Sequence, residues 1–374
     1  MIHISKVDAF AYRVPLATPL KVSFGNFSDR PMVVVRLTDE DGAEGWGEIW
    51  CNWPAVGAEH RARLAVSLGE ELIGQDFALP ADLYKHLTRI TEVLVLQTGE
   101  VGPVAQVIAG IDIAAWDLFA RRQDLPLYRC LTDRDVARVP VYTTGLEPDS
   151  PERFAGDRYA EGHRAFKLKV GFGNNLDLRN MAAIRDAVGA DAALMVDANQ
   201  SFDAEAARAF SEAAEPFNVS WFEEPIRVDA PRTDWRALRD ASPIPLAGGE
   251  NLRGGQFSDW IAEGLLLAIQ PDITKWGGVT RCSDVARQTA EAGLHYCPHV
   301  FGGGIATLAS LHLLASARCE GALEFDCKPN AGRERIIGDL LPVLDGTVPV
   351  PQSPGLGVTP DLAALAEFRT WASV

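Results

Sequence analysis

No pair among the six cysteines (Cys51, Cys130, Cys282, Cys297, Cys319 and Cys327) stands in a CxxC spacing. That scatter argues against zinc sites and a disulfide framework and leaves buried or partly buried free thiols. A surplus of positive charge is also lacking. With 35 Lys+Arg against 51 Asp+Glu, the formal net charge is −16, which speaks against nucleic acid or an anionic membrane surface as partner. The opening stretch MIHISKVDAFAYRVPL alternates apolar and polar residues and has no continuous apolar core of the signal-peptide kind. No apolar run elsewhere reads as long enough to span a bilayer, so the expected location is the cytoplasm. What is present, 47% hydrophobic and 23% charged residues over 374 positions, is the composition of a globular chain with room for one large domain and a smaller one. An acidic protein acting on acidic substrates must supply local cations, from lysines or from a metal.

The first 50 residues read as a β-meander, strand-like at 2–14, 31–38 and 43–49, with Glu40-Asp41-Gly42 as the second turn. Helical periodicity follows at 57–72, 80–94 and 103–122, and the last is the most apolar and so the most buried. After about residue 136 the texture changes. The apolar runs RVPVYTTG, AFKLKVG, AALMVDANQ, VSWFEEP, IPLAGGE, LLAIQPD, LHYCPHV and GALEFD alternate with helical patterns such as DLRNMAAIRDAV. Eight strands alternating with helices imply an α/β fold with a parallel sheet and crossover helices.

These runs end in polar residues: Lys167 and Lys169, then Asp197, Glu223, Glu250, Asp272, His299 and Glu324. Subtracting successive numbers from Lys169 onward gives steps of 28, 26, 27, 22, 27 and 25 residues, the length of one strand–helix unit. A single Asp after a strand is commonly the N-cap of the next helix. A polar residue at the same phase of every unit instead places the whole set on one rim, the C-terminal face of a closed barrel. In an open doubly wound sheet most of them would lie too far apart to meet.

The chemistry of the set indicates the kind of site. Asp197, Glu223 and Glu250 follow three consecutive strands, and three carboxylates without Cys or His suit Mg²⁺ before Zn²⁺. Glu224 is adjacent, and spacing alone does not decide which glutamate binds. Lys167 and Lys169 alternate on one strand and face the same side; their mutual repulsion is expected to lower the pKa of one towards that of a usable base. Asp272 can fix the tautomer of His299 and leave its other nitrogen for proton transfer. Glu324, if held protonated, can donate to an enolate oxygen, and Asn199 can bond a substrate oxygen.

Lys167-Leu168-Lys169, Asp197-Ala198-Asn199-Gln200, Trp221-Phe222-Glu223-Glu224-Pro225, Gly249-Glu250-Asn251, Gln270-Pro271-Asp272, Lys275 with Gly277-Gly278, Pro298-His299 and Glu324 together resemble the enolase superfamily and, within it, the mandelate racemase subgroup. Residues 1–125 resemble that family's α+β capping domain, and Ser353-Pro354-Gly355-Leu356-Gly357 resembles the segment that returns to the cap. The resemblance implies a modified TIM barrel, (β/α)7β, over 126–326, with 327–374 running back to the cap. It further implies Mg²⁺ on Asp197, Glu223 and Glu250, Lys169 as base on one face of the substrate with Lys167 assisting, and His299 with Asp272 on the other. Glu324 would donate to the enediolate. Loops at Phe24-Gly25-Asn26 and Trp50-Cys51-Asn52-Trp53 would set specificity, so Asn26 and Trp50 are expected at the substrate. Lys275 stands where the muconate lactonizing subgroup carries its second catalytic lysine, and is also expected there. The family further suggests a homo-oligomer, dimeric or octameric.

The function these residues imply is Mg²⁺-dependent removal of the α-proton of a small hydroxycarboxylate. Dehydration of an acid sugar to a 2-keto product leads; racemisation or epimerisation and sugar-lactone cycloisomerisation use the same residues. Gly302-Gly303-Gly304 after a strand also prompts a nicotinamide dehydrogenase, although its glycine fingerprint is incomplete. A non-catalytic binder of sugar acids would not need two opposed bases.

Overall fold

The structure is a computed structural model that describes residues 1–22 and 25–373, without the side chains of residues 18, 20–22 and 26. Phe24 and the Asn26 side chain, expected at the substrate, therefore lie outside the described residues.

The N-terminal meander forms as its alternation demands, with longer first strands than the pattern suggested: Ile2–Val22, Gly25–Asp39 and Glu44–Ile49, all antiparallel. The second turn is closed by Asp39, whose carboxylate accepts from the N–H groups of Asp41 (3.0 Å) and Ala43 (2.8 Å). Both faces of the sheet are buried. Ala9, Ala11, Val33, Val35 and Leu37 pack with the helices Gly57–Glu70 and Val101–Arg122, while Phe10, Tyr12, Met32 and Val34 join the main core. A strand buried on both faces loses the tolerance that a solvated face gives.

The approach of the Glu44–Ile49 strand to the Val101–Arg122 helix is set by glycines. A Cβ on Gly47 would stand within 2 Å of the Gly110 carbonyl oxygen, a backbone atom that cannot rotate aside. Gly47→Ala is expected to lower stability by about 3 kcal/mol, the upper end of ordinary overpacking costs. An unchanged denaturant midpoint would show that the helix can shift to make room.

One expectation is corrected. The Val101–Arg122 helix is long and apolar enough, by length and composition, to cross a membrane, but 78% of its most apolar window is buried inside the protein. Its two buried acids show why it belongs there. Asp112 accepts from the Thr280 N–H (2.9 Å) and hydroxyl (2.6 Å). Asp117 accepts from the N–H groups of Trp46 (2.9 Å) and Leu356 (2.7 Å) and from Arg121. Such groups require partners that lipid does not offer.

Eight strands follow: Arg138–Leu146, Ala165–Lys169, Ala193–Asp197, Val219–Glu223, Leu246–Gly248, Ala268–Ile269, His295–Tyr296 and Leu323–Asp326. From Arg138–Leu146 to His295–Tyr296 each strand pairs in parallel with the next, and Leu323–Asp326 pairs with the first. The remaining seam is bridged where the Tyr296 N–H donates to the Glu320 carbonyl at 2.9 Å. This is the capped, modified TIM barrel that the strand–helix alternation and the resemblance implied.

Outward residues Phe166, Leu168, Leu194, Val196 and Phe222 are buried in the main core. Inward residues Tyr142, Met195, Trp221 and Cys297 form a separate apolar cluster. Above that cluster the register pairs Lys169 with Asp197, and Asp197 with Glu223. Charged residues of neighbouring strands are thus held at one level. Beyond the barrel, Thr347–Pro349 pairs with the first barrel strand and Arg369–Ala372 pairs with the first strand of the chain. All six cysteines are free, as expected.

Candidate active site

The rim residues meet at the mouth of the barrel. A cavity of about 450 Å³ is lined by Lys169, Asn199, Glu250, Lys275, His299 and Glu324, with Trp50 on its cap side. Lys167, Asp197, Glu223 and Asp272 lie immediately behind this wall. All the sequence-selected residues except Asn26 are therefore brought together.

Lys167 is fully enclosed, with its Nζ 2.6 Å from Glu223, 2.8 Å from Glu324 and 3.4 Å from Asp197. Lys169 reaches Asp197 at 2.5 Å and the Asn199 side-chain oxygen at 2.8 Å. The expected depression of a lysine pKa does not appear. Burial lowers the pKa of Lys169, and the Lys167 charge adds to this, but Asp197 and Glu223 together outweigh both and leave it raised. Lys167 is likewise raised well above the ordinary range, because Glu223 and Glu324 overcome its burial. Two lysines on one strand repel, but here they share a bed of carboxylates.

Across the cavity, Asp272 lies 2.8 Å from His299 Nδ1, as expected. It is itself fixed by the Thr274 hydroxyl and N–H groups. His299 Nε2 lies 2.6 Å from Glu250. Burial works against charge on this ring, but Glu250, Glu324 and Asp272 raise its pKa well above the usual histidine range. Lys275 bonds the Asn251 side-chain oxygen (2.7 Å), lies 3.4 Å from Glu250, and stands over the Trp50 ring.

The two adjacent glutamates separate. Glu223 points into the barrel, where Gln270 donates to it at 2.6 Å. Glu224 adopts a left-handed backbone (φ +40°) and turns to the cavity wall, where it accepts from Asn251 at 2.7 Å. Burial, then the nearby Glu250, pushes Glu224 up to about 8. Burial, then Asp197, pushes Glu223 up to about 7. Asp197 is held down at about 2, since Lys169 and Lys167 overcome its burial.

Among the described residues no three His, Cys, Asp or Glu side chains converge as a ready-made metal cage; Asp197, Glu223 and Glu250 each engage the protein's own cations. Their chemistry nonetheless fits a hard cation. Asp197 and Glu223 are buried carboxyl groups held side by side by the strand register, with Lys167 reaching both, an oxygen-only donor set of the kind a hard cation takes.

The glycine-rich turn has another use than the one its sequence suggested. The buried Glu48, from the third strand, accepts from the N–H groups of Gly303 (2.5 Å) and Ala306 (2.9 Å) at the start of the Gly304–Ser316 helix. A Cβ on Gly302 would stand 2.6 Å from that carboxylate. The helix N-terminus where a dinucleotide pyrophosphate would lie is already occupied by an acid from the cap, which overturns the dehydrogenase reading. Sequence reasoning also missed Arg30, which pairs with Asp326 (2.6 Å) and lies over the Phe301 ring at the cavity wall. A 296-residue separation gives no local signal for such a pair.

Residues 4–131 match the mandelate racemase / muconate lactonizing enzyme N-terminal domain, and residues 152–364 match the enolase C-terminal domain-like family. The chain belongs to the mandelate racemase/muconate lactonizing enzyme family. It is thus an enzyme of the enolase superfamily, in the mandelate racemase subgroup, whose members are lyases and isomerases. A D-galactarolactone cycloisomerase from Agrobacterium fabrum is 33% identical, covering 95% of each chain. An L-talarate/galactarate dehydratase from Salmonella typhimurium is 30% identical, covering 92% of this chain and 86% of its own. A crystal structure of a mandelate racemase/muconate lactonizing enzyme from Bordetella bronchiseptica superposes with a TM-score of 0.91 at 44% identity, over 98% of this chain and 99% of that one. An enolase from Bradyrhizobium complexed with magnesium and mandelic acid superposes at 0.86 and 28% identity, over 99% of both. Members of this family thus differ in reaction while sharing the fold.

Proposed function

We propose that this enzyme removes the α-proton of an acid sugar and expels the oxygen on the β-carbon, most simply as the dehydration of an open-chain sugar acid to a 2-keto product. The observation that carries this reading is the placement of Lys169 and the Asp272–His299 pair on opposite sides of one cavity. Lys169, aligned by Asn199, takes the proton as its neutral amine. That form is open to it only when Asp197 and Glu223, which raise its pKa here, are engaged by a cation instead. Lys167, enclosed between Glu223 and Glu324, keeps its charge and so opposes charge on Lys169. Glu324, which accepts from the Val300 N–H at 2.9 Å, donates to the enediolate when protonated. His299, oriented by Asp272, delivers a proton to the departing β-oxygen. If that oxygen is a free hydroxyl it leaves as water; the resulting enol then tautomerises to the 2-keto acid.

Asp197, Glu223 and Glu250 would hold Mg²⁺, with Glu224 and Asn251 beside them. When bound, the metal supplies a Lewis acid for the substrate carboxylate, without which an α-proton of a carboxylate is too weakly acidic for any side chain. Trp50 and Lys275 are assigned to the substrate side of the cavity. The division that accompanies this reading is a cap at 1–125, a barrel at 126–326 and a returning segment at 327–374. We place the enzyme in the cytoplasm, where six free thiols persist, and as a homo-oligomer.

A second reading has a specific basis, the 33% identity to a lactone cycloisomerase. If the β-oxygen is tied into a lactone ring, the same bond cleavage opens the ring and no water is lost. Proton NMR in deuterated water with Mg²⁺ and a panel of aldonates, aldarates and their lactones separates the two. Loss of the α-proton signal with a 2-keto product from an open-chain acid supports dehydration; the same from a lactone alone supports cycloisomerisation. Exchange without elimination indicates a racemase, and no exchange with any compound overturns the substrate class.

A further inference from the structure

The cations around the cavity divide into two groups. Lys169 has Asp197 at 2.5 Å, Lys275 has Glu250 at 3.4 Å, Arg30 has Asp326 at 2.6 Å and Lys328 has Glu147 at 3.4 Å. Arg61 and Arg253 line the same cavity, and among the described residues neither has a carboxylate within ion-pair distance. Arg61 is only 4% exposed. It comes from the Gly57–Glu70 helix and is held by neutral acceptors, the Gln106 side-chain oxygen at 3.0 Å and the Trp53 carbonyl at 3.1 Å. Its Nη1 also lies 3.4 Å from His60 Nδ1. Glu100 exerts some field on it but is turned towards His60, 3.5 Å away. Arg253 follows the fifth barrel strand, and its guanidinium and the Gln106 amide both lie close to Gly102. A Cβ placed on Gly102 would stand 3.8 Å from the Gln106 amide nitrogen and 3.9 Å from Arg253 Nη2.

A buried guanidinium without a counter-ion is costly to keep. The buried Arg61 and the half-buried Arg253 line one ligand cavity together with the Gln106 amide, and a carboxylate there would satisfy them by charge-assisted hydrogen bonds. The proton-transfer groups and the metal-ligand candidates account for the reacting end of the substrate and use neither arginine. We infer that Arg61 and Arg253 recognise a second carboxylate, at the far end of the substrate, so that the enzyme takes dicarboxylic acid sugars in preference to monocarboxylic ones. This rests on the proposed proton abstraction from an acid sugar and narrows it. An open-chain aldarate carries that second charge and an aldonate does not. A lactone formed at the far carboxyl has lost it, so the two arginines also favour dehydration over ring opening.

The test is calorimetric binding of matched six-carbon aldarates, aldonates and aldarolactones to the Mg²⁺-loaded enzyme, with α-deuteration followed on the same samples. The best diacid is expected to bind at least roughly tenfold more tightly than the monoacid of the same configuration. Arg61→Gln and Arg253→Gln should each weaken diacid binding roughly 10- to 100-fold, the worth of a hydrogen bond to a charged group. Monoacid binding should change little, and the loss in turnover should appear in KM rather than kcat. Arg253 is the more exposed of the two, so its variant keeps the test informative if Arg61→Gln fails to fold. Equal affinity for diacid and monoacid, or variants that weaken both alike, overturns the inference. Exchange confined to monoacids removes it while leaving the proposed reaction standing. Arginine-dependent diacid binding without exchange does the reverse.

Discussion

Lys169→Ala is expected to lower the rate of substrate α-proton exchange by about 10²- to 10⁴-fold, the range of a positioned general base, with Mg²⁺ binding retained. Lys167 cannot take over the role. It lies deeper in the barrel, and its Nζ is already within 3 Å of both Glu223 and Glu324. Removing Lys169 also releases Asp197 from its 2.5 Å contact, so metal affinity should hold or rise rather than fall. That divergence separates a base from a merely structural cation. Exchange at the native rate in Lys169→Ala would transfer the base role elsewhere. A parallel fall in Mg²⁺ affinity would mark Lys169 as part of the metal site's support.

His299→Asn is expected to reduce product formation by about 10²- to 10³-fold while sparing exchange on the Lys169 face. The two readouts come apart because His299 acts after the α-carbon has lost its proton. Its Nδ1 is committed to Asp272, and its Nε2 faces the cavity beside Glu250. Asparagine removes the transferable proton and keeps a small polar group in that space. If exchange and elimination fall together, His299 is instead the base on its own face and Lys169 the acid. The epimer that exchanges then reports which face carries the base.

The parts of this enzyme legible in its sequence are those with a period. Strand-end polar residues recur at the length of a strand–helix unit, and a closed parallel barrel turns that recurrence into one rim, so Asp197, Glu223, Glu250, Asp272, His299 and Glu324 could be gathered before any fold was known. The meander and its turn were legible for the same reason: alternation and Gly42 are local. Side-chain electrostatics were not. The spacing of Lys167 and Lys169 implies repulsion, but the outcome depends on how many carboxylates crowd both, a three-dimensional sum. Pairings across the cap and barrel were equally hidden. Glu48 reads as an ordinary residue in a strand, yet it fills the turn at Gly302 and Gly303 that looked like a phosphate cradle. Arg61 reads as one charge among several on an amphipathic helix, and only its burial without an acid distinguishes it.

The return of the chain's last strand to its first has a consequence for synthesis. Arg369–Ala372 completes the sheet begun by Ile2–Val22, and Leu356 supplies one of the donors that Asp117 needs. A ribosome delivers residues in order and a domain ordinarily closes as it emerges. Here the N-terminal sheet is made first but finished last, after the whole barrel has been delivered. During that interval the long edge of the first strand is an open template for other chains. The seam joining two strands so far apart in sequence thus makes completion of the cap's sheet wait on delivery of the barrel that lies between them.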